Sequence, residues 1–235
     1  MINNADEATT AKRIIISYRN AAMRNENISE PAPLTAEASK HVGERLDLAI
    51  ARGSLDEVRL AIDSGASVEQ KSRALLLAAI HGRADCAKIL IPEADIQVVG
   101  AQAVQIAAKH NRVDVLGLLL EANANAKAKK SHALTLAAGK GHLNCVNLLI
   151  PRSDPGAQHS LALTCAVESG SMDCVMALLP ACDPLAVSDA GVCARSAAVE
   201  KKNWSMVELF DAHCDSIELA KVCAGGEKGA KGPRL

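Results

Sequence analysis

Alanine returns in register six times along this chain, at Ala49, Ala78, Ala107, Ala137, Ala166 and Ala198, at intervals of 29, 29, 30, 29 and 32 residues. Each alanine opens the same pattern, with a turn residue four places on and then paired apolar positions. A fixed period in this range marks a chain of stacked units in which each unit touches only its neighbours. Such an architecture directs function towards binding along a surface rather than chemistry in one cleft.

The columns of the repeat define two helices per unit. Three residues before each alanine stand Leu46, Leu75, Val104, Leu134, Leu163 and Arg195. Counting the alanine as first, the tenth position is Val58, Ala87, Leu116, Val146, Val175 and Val207, and the thirteenth is Ala61, Leu90, Leu119, Leu149, Leu178 and Phe210. The seventh (Leu55 to Trp204) and twelfth (Leu60 to Leu209) are also apolar, and together these spacings draw one apolar helix face. Between the helices the turn column reads Gly53, Gly82, Asn111, Gly141, Gly170 and Lys202, mostly residues that tolerate the left-handed backbone ending a helix. The alanine itself is explained by close approach, since two helices meet tightly only where the side chain is a single methyl group.

The unit resembles the ankyrin repeat, whose core reads roughly Thr-Pro-Leu-His-x-Ala-Ala-x-x-Gly-His-x-x-x-Val-x-x-Leu-Leu. The tract from His132 to Ile150, with Leu134, Ala137, Ala138, Gly141, His142, Val146, Leu148 and Leu149, carries the resemblance most fully. The tract Leu178 to Ala186 is similar to a loop of bacterial ankyrin arrays. The resemblance covers about residues 44 to 212 and implies an all-α ankyrin-repeat solenoid of about six helix-turn-helix units. Two departures are expected to matter. Ala74, Ala103, Ala133, Ala162 and Ala194 stand at the Pro site, and most intervals fall short of the family's ~33 residues. The missing length lies in the hairpin loop, so the fingers should be short or reduced and recognition weighted towards the helices.

Composition narrows the function classes. Aromatics are 1% of the chain, too few for the base stacking that single-stranded nucleic-acid binding uses. A net charge of −1 offers no global field for nucleic acid or an anionic membrane, and no stretch approaches the ~20 apolar residues of a membrane span. Of the eight cysteines, Cys86, Cys145 and Cys174 fall in the ninth column beside Glu57, Val115 and Met206, where cysteine serves as a small apolar side chain. Reduced thiols and a cytoplasmic location are therefore expected.

Three domains are predicted: an extension and linker over 1–34, the array over 35–212, and a cap and flexible tail over 213–235. Thr10 to Met23 reads as a short basic helix with Ile14, Ile15, Ile16 and Tyr18 apolar, and Asn25 to Pro33 as a linker. A longer helix from Thr35 through Ala51 would cap the array, since an end unit otherwise exposes an apolar face. Ser216 to Cys223 offers one closing helix, and Gly225 to Leu235 a tail.

The candidate binding site is the column just before the turn: Arg52, His81, His110, Lys140 and Lys201, with Ser169 in the fifth repeat. Stacked at roughly 8–10 Å, these residues would form a strip along one face. One reading is a surface for an acidic protein partner. The other is compensation of the helix dipole by cations at a C-terminus, about 0.3–1 kcal/mol each. No metal or cofactor is expected, because His142 with Cys145 and His81 with Cys86 lack further ligands at a metal-site spacing. No nucleophile pair or phosphate-cradling loop is evident, so the chain reads as a monomeric protein–protein interaction module rather than an enzyme. Two alternatives stay open: a bacterial effector delivered into a host cell through residues 1–34, and an enzyme with an unrecognised site.

Overall fold

One helix can double back on the next within a few residues when the corner residue accepts a positive φ. The structure, a computed structural model, describes residues 36–187 and 191–226, with side chains from 40 to 218 within those ranges. At all six corners the turn column is left-handed: Gly53 (φ 76°), Gly82 (70°), Asn111 (56°), Gly141 (70°), Gly170 (77°) and Lys202 (55°). Five corners are closed by one recurring bond, from the N–H after the turn to the carbonyl of the column alanine. The pairs are Ser54 to Ala49, Arg83 to Ala78, Arg112 to Ala107, His142 to Ala137 and Asn203 to Ala198, at 2.8–3.0 Å. In the fifth repeat the Ser169 hydroxyl stands in this place. It donates to the Ala166 carbonyl at 2.8 Å and accepts from the Ser171 N–H at 3.4 Å.

The chain forms two compact units, divided between Ala124 and Asn125. The first holds α1 (Ala36–Arg52), α2 (Leu55–Asp63), α3 (Val68–His81), α4 (Ala84–Leu90), α5 (Ile96–Lys109) and α6 (Val113–Glu121). The second holds α7 (Ala128–Gly139), α8 (Leu143–Leu149), α9 (Ala157–Ser169), α10 (Met172–Leu178), α11 (Ala194–Glu200) and α12 (Trp204–Gly226). There is no strand among the described residues, so the fold is all-α and the hairpin fingers are reduced to short loops, as the shortened period predicts.

The register inferred from the alanines holds. All six column alanines are fully buried, and so are Leu46, Leu75, Val104, Leu134 and Leu163 three residues before. The thirteenth column is buried throughout, from Ala61 to Phe210. The ninth column buries Cys86, Val115, Cys145, Cys174 and Met206, while Glu57 in the first repeat is exposed. Two positions predicted for the apolar face differ: Trp204 is 60% exposed and Leu60 39%. Arg195 is tolerated in a leucine column because α11 packs on α12, where Asp211 takes its guanidinium in a two-pronged pair at 2.7 and 3.0 Å.

A repeated side-chain bond was not foreseen. Six residues before the column alanine, the buried hydroxyls of Ser72, Ser131 and Ser160 accept the N–H of Asp95, Asp154 and Asp183 at 2.8–3.0 Å. Each ties a helix to the loop 23 residues on. The helices differ in how they start. Ser67 and Gln70 cap α3 reciprocally, and Asp95 caps α5. Lacking a side-chain cap, α7 and α9 are entered through left-handed triplets, Lys129-Lys130-Ser131 and Gln158-His159-Ser160.

At the ends, α1 matches the predicted capping helix. The separate closing helix expected over Ser216 to Cys223 is instead the distal part of α12, which runs unbroken through Asp211 to Gly226 and so crosses the boundary expected after residue 212. The helix expected over Thr10 to Met23, the linker after it and residues 227–235 of the expected tail lie outside the described residues.

Candidate functional site

The column before the turn is placed by the corner geometry, because a helix that ends one residue before a left-handed corner points its last side chain away from the packed alanine. In the first unit Arg52 and His81 end α1 and α3, and His110 follows the last residue of α5. In the second unit Lys140 follows α7 and Lys201 follows α11. All five side chains are exposed, each three residues after a fully buried alanine. Arg52 leans forward to Glu57, with Nη1 3.6 Å from Oε2 across exposed surface. An ion pair of this kind is worth roughly 0–1 kcal/mol, so it restrains Arg52 only weakly.

The sequence reading missed the cations that do the capping. Arg83 and Arg112, two residues beyond the column, reach back one repeat. Arg83 Nη2 donates to the Ala51 carbonyl at 3.0 Å, and Arg112 Nε donates to the Ile80 carbonyl at 3.0 Å. Each satisfies an orphan carbonyl at the end of the preceding unit's first helix. Their guanidinium groups also lie over the turn glycines. A methyl at Gly53 would meet Arg83 atoms at 3.2 Å, and one at Gly82 would meet Arg112 Cδ at 2.7 Å. The missing signal was the interval of 32 residues between donor and acceptor, slightly longer than the repeat itself. Dipole compensation at those two helix ends is thus carried by Arg83 and Arg112, leaving Arg52 and His81 on the outer surface.

A second polar surface lies in the second unit, on the loop side. An open groove of about 810 Å³ is lined by Lys127, Lys130 and His159 together with Asp154 and Asp183. Ser131 and Ser160 sit at its floor with their hydroxyls engaged by the loop N–H groups. It mixes both signs of charge, and its lining offers hydrogen bonds and ion pairs.

The seven cysteines whose side chains are described form no disulfide with one another. Burial pushes Cys145 and Cys182 up to about 11, and raises Cys86 as well, which fits their packing role. Cys193 goes the other way. Partial burial alone would raise it, but its hydrogen bonds with the Ser196 hydroxyl and with the backbone of Ser196, Arg195 and Cys193 itself outweigh this and lower its pKa. Among the described residues no three His, Cys, Asp or Glu side chains gather as a metal site would require. No described helix is long and apolar enough to cross a membrane.

A family model described as ankyrin repeats (3 copies) matches the chain twice, over residues 46–130 and 104–188, together more than half its length. No curated protein matches the chain.

Proposed function

Because the chain belongs to the ankyrin-repeat family, whose repeats generally serve protein–protein interaction, we propose that the exposed basic side chains Arg52, His81 and His110 of the first unit, and Lys140 and Lys201 of the second, receive acidic groups of a protein partner. The observation that carries this reading is the division of labour among the cations. Arg83 and Arg112 already serve the helix carbonyls, while Arg52, His81, His110, Lys140 and Lys201 face outwards. A surface already ordered before contact loses little entropy on binding. Few aromatic anchors are present, so polar and electrostatic contacts should dominate affinity. The module works as a monomer in the cytoplasm, without a cofactor. Delivery into a host cell through residues 1–34 concerns a segment outside the described residues.

The test is capture from a cell lysate by the wild-type chain and by the triple variant Arg52→Glu, Lys140→Glu, Lys201→Glu, with quantitative mass spectrometry. Reversal of three exposed charges should leave the fold intact. Acidic partners should be lost, and residual association should be slower and less salt-dependent. Unchanged capture alongside a small stability loss would leave dipole compensation as the column's whole role.

A further inference from the structure

The first repeat presents a surface that later repeats of its unit cover. Helix α2 packs on α4, and α4 on α6, so within this unit each second helix except α2 has a preceding neighbour. The consequence is visible by column. Cys86 and Val115 are buried at the ninth position, whereas Glu57 is exposed. Ile89 and Leu118 are half-buried at the twelfth, whereas Leu60 is 39% exposed. Before the column alanine, Leu77 and Ile106 are half-buried, whereas Leu48 is 54% exposed. Leu48 and Leu60 line a groove of about 320 Å³, rimmed by Arg45, Arg52 and Glu57. Helix α1 therefore caps the array on one side only.

We propose that the chain's own segment Ile14-Ile15-Ile16-Ser17-Tyr18 covers this groove, completing the cap that α1 begins. Three arguments select this occupant. It supplies consecutive aliphatic side chains and the chain's one tyrosine, apolar groups of the kind a preceding repeat would place against Leu48 and Leu60. It can reach: the groove lies about 12 residues along α1 from Ala36, or ~18 Å of helix. The 17 residues between Tyr18 and Ala36 extend to ~55 Å. Tethering also supplies an effective concentration in the mM range, so a small contact suffices. A second copy of the chain meets a harder requirement, since a stable dimer needs ~800 Å² per partner and this face offers two leucines in a polar rim. The segment read from sequence as a short basic helix, and in one alternative as part of a delivery element, thus acquires a structural role that does not depend on the partner-binding reading.

The experiment uses the full chain with a photo-crosslinking p-benzoylphenylalanine at Leu48 or at Leu60, and at Val98 as an exposed control in α5. Both test positions are exposed, so the fold should persist, and circular dichroism checks this. Irradiation at Leu48 or Leu60 should give an adduct within one chain to residues 12–20, and the Val98 control should not. Adding Ile15→Asp should cut the yield about tenfold or more, because a charge replaces a buried aliphatic group. An adduct joining two chains, an adduct elsewhere in the chain, no adduct, or a yield indifferent to Ile15→Asp would each overturn the proposal.

Discussion

Lys202 holds a left-handed backbone (φ 55°) where four of the six repeats use glycine. A side chain in that region costs about 1 kcal/mol or more, so Lys202→Gly should raise the urea midpoint of unfolding. The converse substitution separates backbone from packing. Gly170→Ala meets nothing within 4 Å and bears only the backbone cost, whereas Gly82→Ala also drives a methyl to 2.7 Å from Arg112 Cδ and displaces the guanidinium from the Ile80 carbonyl. Gly82→Ala should therefore be the more destabilising of the two in the same titration. Cysteine chemistry gives a second test at this scale. Thiolate is the reacting form, so iodoacetamide at pH 7.5 should label Cys193 well before Cys145 and Cys182, as peptide mapping of a time course will read. The turn column and the alanines were legible because backbone sterics act on each residue singly. Ser72, Ser131 and Ser160 were not, since their bonds join residues 23 apart with no local signature.

Helices here approach closely at the fully buried alanine column, and the element-scale predictions follow from that. Ala107→Leu forces three carbons into a fully buried contact in α5 and should cost about 1–3 kcal/mol. Ala51→Leu, on the exposed side of α1, should cost far less in the same urea titration. Ala126 would make a poorer control, since it lies outside any helix yet is only 5% exposed. The α11–α12 pairing responds to pH. The Arg195 guanidinium hydrogen-bonds the Asp211 carboxylate and holds its pKa below the ordinary 3.8. A carboxyl depressed in the folded state contributes stability above its unfolded pKa, and that contribution disappears as pH falls through the folded value. The Tm difference between wild type and Asp211→Asn should thus be largest near neutrality and shrink below about pH 4, by calorimetry across that range. The eight-residue closing helix expected over Ser216 to Cys223 was misread because the sequence around Asp211 carries no breaker. With neither glycine nor proline between Trp204 and Ala224, α12 has no reason to stop.

For the molecule as a whole, periodicity made the fold class readable from one chain, because every repeat restates the same steric requirement. The basic column was readable as a position but ambiguous in role, since cations at helix ends can serve the dipole or a ligand. At two of the helix ends Arg83 and Arg112 take the backbone carbonyls, which supports the proposed ligand role of the column there. Periodicity also governs how damage spreads. In a stacked array stability is close to a sum of unit and nearest-neighbour terms, so a lesion should loosen its own surroundings most. Ala107→Leu lies in the first compact unit, and Ala166→Leu is its counterpart in the second. Amide hydrogen exchange followed by mass spectrometry should show Ala107→Leu accelerating exchange chiefly over α3 to α6, with α9 to α12 nearly unchanged, and Ala166→Leu giving the reverse pattern. Uniform acceleration over every helix by either variant would mean instead that the described helices unfold as one cooperative block, and that the arginine-to-carbonyl bonds and serine ties couple repeats more strongly than nearest-neighbour packing accounts for.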